Sequence, residues 1–578
     1  MTSVSAKHWK PDPLWLAVPA LLLLAVFFLF PMFRLLGLSF TDEAAGSFTL
    51  SNYERLGDSL LYWRILGITL EISALTALFS VLFGYPIAMW LAGLEGRQRS
   101  NMLLLVLLPF WTSYLVKTFA WMILLGKNGV FNSLLLGSGL AERPVNLMYN
   151  ELGVLIGMVH AMIPLAVLSM LPVMSGIDNR LTLAASTMGA SRSDRFWLVY
   201  FPLSMPGVVA AGLLTFITSL GFFIVPAFLG GRQQTMLAQT IITQVQEIVN
   251  WPFAAVLATM LVVAALLVIA IYNRLFGLSS LSAGNGAQSK KSLSPDSLLR
   301  KSGYGILALL AKIFRPLDRL SSPGANSNPV RTAYVVLLII FLMLPGLIVI
   351  PLSFTSGRNL AFPPPGFSLR WFEQYFNSAI WMSATIRSFG VAFATAFFAT
   401  ILGGLAALAL SRSSSRMNGF IFGLILAPMI VPRIVIAVGL FYLMAQIGLV
   451  ATDTGLVIGH TLLALPYAFI TIGSVLKNYD WRLNQAAETM GATKLTILRL
   501  ITIPLLRGGL LSAALFAFVT SLDELTIAIF VSGGLKTTLP KQMWDDMFLQ
   551  LNPTLAAVSV IVLLVVTTIL LLARKLEK

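Results

Sequence analysis

The sequence predicts an all-α polytopic membrane protein of about twelve transmembrane helices in two homologous, parallel six-helix repeats. Three observations predict it. Hydrophobic residues make up 57% of the 578 and charged residues only 11%, against roughly 25% charged in an ordinary soluble domain. Apolar runs of about 20 residues, enough to cross a bilayer core, recur along the whole chain. A polar stretch at 184–202, AASTMGASRSDRFWLVYFP, returns 302 positions later at 486–504 as AAETMGATKLTILRLITIP.

The predicted spans lie near 14–38, 62–92, 101–126, 151–174, 203–229 and 252–276, then 331–355, 380–411, 417–445, 455–475, 505–531 and 553–574. Runs beyond about 25 residues imply tilted or protruding helices. The first run follows Lys7 and Lys10. It is longer than a signal-peptide core and no small-residue cleavage pattern follows, so a retained first helix is expected. With no cysteine, a disulfide framework, a thiol nucleophile and a cysteine metal site are all excluded.

The formal charge of +16 is distributed by topology. Alternate loops carry the cations: Arg97 and Arg99; Arg180, Arg192 and Arg195; Arg412 and Arg416; Lys477, Arg482, Lys494 and Arg499; Arg574, Lys575 and Lys578. The positive-inside rule then places both termini and both copies of the repeated stretch in the cytoplasm. Topology accounts for the basic composition, so no nucleic-acid partner is expected.

These signals divide the chain into a first half at 1–276 (core about 62–276), a basic linker at 277–330 and a second half at 331–578 (core about 380–574). The linker's stretch SSLSAGNGAQSKKSLSPDSLLRKSG is rich in Gly and Ser, basic and poor in apolar residues, the composition of a flexible cytoplasmic tether. After it, YGILALLAKIFRPL reads either as a short amphipathic helix on the inner leaflet or as plain linker.

The repeat extends beyond the polar stretch. Gly84 and Gly403, and Pro109 and Pro428, share a spacing of 319. The drop to 302 implies about seventeen extra residues in the first half, near 126–153. An even number of spans per half makes the repeats parallel, related by an axis along the membrane normal; many secondary transporters use inverted repeats instead.

In each polar stretch small residues precede Met-Gly-Ala-Ser/Thr, a basic amphipathic run, and a proline opening the next span. Alanines favour helix and allow close approach, the glycine permits a sharp turn, and proline is tolerated in a first helical turn. A short helix–turn–helix results, which serves either as a lever docking into a partner or as an ordinary surface loop; the second copy favours docking.

These residues resemble the EAA coupling loop of ABC-importer permeases. Ala184, Ala185, Gly189 and Pro202 match it in one copy, and Ala486, Ala487, Gly491 and Pro504 in the other, while Leu183 and Gln485 stand where the family has an acid. LLPFWTSYLVKTFAWMILLGKNGVFN is similar to the first permease of the spermidine/putrescine importer family; FPPPGFSLRWFEQYF, LPYAFIT and LFAFVTSLDELTIAIF are similar to its second. The resemblance implies the type I ABC importer fold, two permeases fused in one chain, and an inner-membrane location. It also implies two copies of a cytoplasmic ATPase subunit and a periplasmic binding protein as partners. ATP and Mg would sit on those ATPases and no cofactor on this chain, in line with the lack of a G-x-x-x-x-G-K-[ST] loop. The chain itself would be a transport subunit and not an enzyme. Three histidines (His8, His160 and His460) are too few for a metal cluster, and His160 and His460 read as packing or hydrogen-bonding residues.

Ionisable residues inside a membrane cost about 3 kcal/mol each at mid-helix and are functional candidates by default. Asp523 and Glu524 fall within the eleventh predicted span, where the first half has Gly221 and Phe222, and Arg433 falls within the ninth. Arg433 either lines the substrate path or pairs with Asp523 or Glu524. Lys117, Trp111 and Tyr114 join the path candidates, with a core role open for the two aromatics. Permeases resembling the second half carry an acid near the position of Arg433. The resemblance implies a small charged nitrogen compound of the polyamine class as solute; the reversed sign at Arg433, with Asp523 and Glu524 kept, makes a zwitterion or anion such as an opine or 2-aminoethylphosphonate the alternative. An ion-coupled secondary transporter using Asp523 and Glu524 is the reading from another class.

Overall fold

The computed structural model describes residues 13–42, 46–276, 298–318, 329–358, 360, 362–534, 536–549 and 552–576. Among these residues the chain is helical, with three isolated antiparallel bridges and no strand. Ten helices are long and apolar enough to cross a membrane, and a bent pair makes an eleventh span. A shorter apolar helix, Thr554–Ile569, stands where the twelfth is expected.

Four predicted spans are interrupted, one of them at a proline. The expected 101–126 span is a helix to Trp111, an extended Thr112–Ser113, and a new helix Tyr114–Leu125 capped by the Ser113 hydroxyl. The expected 417–445 span is two helices, Asn418–Ile430 and Arg433–Gln446, bent by 98°. Pro432 forces the residue before it out of the helical region, and Val431 is extended with ψ 131°. The expected 203–229 and 505–531 spans both break after 20 helical residues. Phe201–Leu220 ends at Gly221 and Ile503–Leu522 ends at Asp523, and short helices Ile224–Leu229 and Thr526–Val531 follow.

The chain folds as two compact units. One comprises Met1–Trp63, Leu237–Val262 and Val349–Lys578. In it the helices Ala379–Arg412, Asp453–Lys477 and Ile503–Leu522 pack on one another, and the chain's leading helical run (Pro13–Leu38) lies on Ala379–Arg412 and Arg433–Gln446. The other comprises Arg64–Met236 and Val263–Ile348. Its core gathers Ile87, Val106, Val167 and Met170 around Leu338 and Leu342 of the helix Pro329–Ser353. Each repeat's leading helix thus belongs to the unit that holds the other repeat's core.

Close approach explains one glycine pair. A Cβ at Gly157 would lie 2.7 Å from Leu229 and Val225, and one at Gly459 would lie 2.9 Å from Ile527. The linker stretch 298–318 is a helix, Leu298–Asp318, with Leu309 and Ile313 exposed; most of the expected tether lies outside the described residues.

Candidate functional site

Each polar stretch folds into the same device. The first is a helix Asn179–Thr187, whose Asp178 side chain caps the start, followed by a turn at Met188–Gly189. Gly189 has φ +84°, and Gly491 in the second copy has φ +85°. The Ala190 N–H donates to Ala185 O and the Gly189 N–H to Ser186 O, both at 3.0 Å; Ala492 N–H and Gly491 N–H repeat this to Ala487 O and Glu488 O at 3.0 Å. These paired bonds are a Schellman motif, which satisfies carbonyls that a helix end leaves open. Ala184 and Ala486 accept from the Thr187 and Thr489 hydroxyls at 2.8 and 2.7 Å.

A second short helix then opens on a hydroxyl cap, Ser191 in one copy and Thr493 in the other. It widens into a π-type turn at Arg195–Tyr200 or Leu498–Thr502. From there it runs into the long helix, with Pro202 or Pro504 in its first turn. The turn is therefore joined rigidly to a membrane helix. Its outer face is apolar and open: Met188 and Met490 are each 86% exposed, beside Leu181 and Leu183 or Leu483.

The copies are anchored differently, which the sequence did not reveal. In the first, Arg195 Nη1 donates to Ser186 Oγ at 2.7 Å. In the second, the Tyr479 hydroxyl donates to Asn484 Oδ1 at 2.6 Å and Asn484 Nδ2 to Thr502 Oγ1 at 3.3 Å. The tyrosine and tryptophan of the polar loop "NYDW" were the available signal. Beside them the Asp480 carboxyl is held below the usual range by hydrogen bonds from Arg482.

The membrane charges gather at the breaks. Asp523 is the C-cap of Ile503–Leu522, with φ −94° and ψ 1°. Glu524, 1% exposed, lies in the break itself. Its carboxylate accepts the backbone N–H groups of Thr526, Ile527 and Ala528 at 3.0, 2.8 and 3.4 Å. Glu524 is thus an N-terminal cap of the short helix Thr526–Val531, and the expected mid-helix placement of both acids is corrected. Nearby, His460 Nδ1 shares a 2.8 Å hydrogen bond with Ser521 Oγ, and its Nε2 is 3.8 Å from Glu524.

Arg433 is not mid-span. It is the first residue after the 98° break, and its Nη2 donates to the Tyr467 hydroxyl at 3.3 Å. Tyr467 is a neighbour that sequence reasoning missed. In the other unit, Tyr114 opens the helix after the equivalent break and packs edge-on to Phe222, with ring centroids 5.0 Å apart. Lys117 is buried, its Nζ 4.2 Å from the Tyr114 ring centroid and donating to Pro109 O at 3.0 Å. There it meets the carbonyl end of the helix Gly96–Trp111, where a cation is favoured. The Trp111 side chain lies outside the described residues. His160 holds Leu342 O at 3.0 Å between Trp121 and Phe341; His8 lies outside the described residues.

The model of the family described as "Binding-protein-dependent transport system inner membrane component" matches residues 75–279 and 399–578. The chain is 32% identical over 256 residues to the spermidine/putrescine transport system permease protein PotB of Haemophilus influenzae, which spans 43% of this chain and 89% of that protein. It is 33% identical over 245 residues to the permease protein PotC of the same organism, spanning 42% of this chain and 95% of that protein. The PotB of Escherichia coli is 32% identical over 256 residues, with 43% of this chain and 93% of that protein covered. Relatives of the two kinds cover each half. A chain of a bacterial alginate ABC transporter, solved with an alginate pentasaccharide-bound periplasmic protein, is 18% identical with a TM-score of 0.40 over 45% of this chain and 91% of that one. With both halves matched by permeases and no enzyme among those relatives, this multi-pass chain belongs to the family of inner-membrane components of binding-protein-dependent ABC importers, as two permeases fused in one.

Proposed function

We propose that this chain is the transmembrane permease of an ATP-driven importer for a small charged nitrogen-containing solute of the polyamine class, delivered by a periplasmic binding protein. The observation that carries the coupling part is the pair of Schellman turns, at Gly189 and Gly491, each with an exposed methionine and each fused to a membrane helix. Two copies of a cytoplasmic ATPase subunit, carrying ATP and Mg, grip these turns. Ala184, Ala185 and Pro202, with Ala486, Ala487 and Pro504, shape the grip. Both termini lie in the cytoplasm, consistent with the cationic loops. The polyamine assignment rests on the spermidine/putrescine permease relatives.

A second reading has its own observation. Arg433 opens a 14-residue helix, and a helix start already favours negative charge. Guanidinium and helix end together suit an anionic or zwitterionic group better than a polycation. Asp523 supplies the opposite sign, and Glu524 holds backbone N–H groups.

The test is ATP hydrolysis by the chain reconstituted with its ATPase and binding protein, titrated with spermidine and with 2-aminoethylphosphonate. Stimulation by spermidine supports the polyamine reading, and stimulation by the phosphonate alone replaces it with the second. Uptake that needs no ATPase would return the ion-coupled reading.

A further inference from the structure

The helix Leu298–Asp318 lies in the linker between the two permease halves, yet it does not stand apart. It packs on residues 192–200, the second part of the first coupling segment. Arg315 Nη2 donates to both oxygens of Asp194, at 2.9 and 3.1 Å. Phe314 stacks on Trp197 with centroids 5.7 Å apart and planes 28° apart, and Ala311, one turn earlier on the linker helix, is 1% exposed.

Asp194 is already part of the turn. Its carboxylate accepts the Ser191 N–H while Ser191 Oγ accepts the Asp194 N–H, a reciprocal cap. The next residue, Arg195, reaches back to Ser186 in the helix before Gly189. A chain of contacts therefore runs from Arg315 through Asp194 and Arg195 to the coupling turn. The second copy lacks the matching residues: 302 positions on, Thr496 and Arg499 replace Asp194 and Trp197. The first copy carries an acid and an indole that the linker helix uses, and the second has neither.

We infer that the linker helix is a brace on the first coupling segment only, with Arg315 and Phe314 as positioning residues for the turn at Gly189. A lone exposed ion pair would hold little. The ion pair, the stacked rings and the buried alanine act on one short element whose orientation is what coupling transmits, so the two ATPase contacts are not equivalent. The brace rests on the coupling role proposed above.

The absence of cysteine from the chain makes the test clean. One arm needs no ATPase: with cysteines in place of Trp197 and Phe314 in the full chain, a short bis-maleimide should join them within the molecule. Failure to cross-link overturns the brace, provided each single variant still labels. The second arm uses the complex with its ATPase. Met188→Cys and Met490→Cys report the two turns by their protection from a water-soluble maleimide. Arg315→Glu should raise labelling at position 188 at least threefold and leave position 490 unchanged, and Arg315→Lys should restore protection. Equal change at both turns, or none, overturns the positioning role. An intramolecular cross-link with no ATPase binding at all would sink the coupling reading while leaving the docking of the linker helix established.

Discussion

Gly189 and Gly491 sit at φ +84° and +85°, with no atom within 4 Å of an added Cβ. Alanine there meets no clash, only the left-handed backbone, worth roughly 1–2 kcal/mol. Gly189→Ala and Gly491→Ala should therefore leave helix content by circular dichroism unchanged while lowering substrate-stimulated ATP hydrolysis several-fold. Equal rates in variant and parent would remove the turns from the coupling path. Glu524 makes the opposite case. Glu524→Ala leaves the buried N–H groups of Thr526, Ile527 and Ala528 without their acceptor, a loss of roughly 1–3 kcal/mol. A lower Tm in detergent is expected. Arg433→Gln should change which solute stimulates ATP hydrolysis more than it changes Tm.

At the scale of elements, the breaks in the membrane helices organise the chemistry. Where a membrane helix breaks, side chains reach the ends of helices and not their sides, and charges meet carbonyls or N–H groups left open there. Lys117 on Pro109 O and Glu524 on the start of Thr526–Val531 are the two instances. The two repeated turn segments, to which we assign coupling, are similarly built from caps. Tyr479→Phe removes the hydroxyl that binds buried Asn484 at 2.6 Å, at a cost of about 1 kcal/mol. Coupled ATP hydrolysis should fall while solute affinity of the binding protein stays constant; an unchanged rate would make this network packing only.

For the whole molecule, the exchange of leading helices has a direct consequence. Leu338 and Leu342 complete a core built by Ile87, Val106 and Met170, and Leu342 O pairs with His160 Nε2. Likewise the leading helical run Pro13–Leu38 covers Ala379–Arg412. Residues 1–276 expressed alone should be rapidly proteolysed in membranes, and co-expression with 277–578 should restore a stable species. Stability of the first half alone, by the same proteolysis assay, would show that the exchanged helix is dispensable.

The 302-residue repeat, the glycine of each turn and the apolar runs were legible because local rules govern them: backbone conformation at a Schellman turn and length against bilayer thickness. The alanine, glycine and proline positions of both turns could thus be named before any fold was known. The 98° break, the capping role of Glu524, and the partners Tyr467, Asn484 and Arg315 were not legible. An apolar run reads as one span whether or not it bends, because hydropathy reports solvent and not direction. Asp194 and Arg315, 121 positions apart, carry no mutual sequence signal at all. Sequence by itself determined the class, the repeat and the turn at each glycine, since composition, self-similarity and local backbone rules suffice for them. Which charge faces which helix end, and which half each leading helix completes, only tertiary packing decided, because those contacts join residues far apart in the chain.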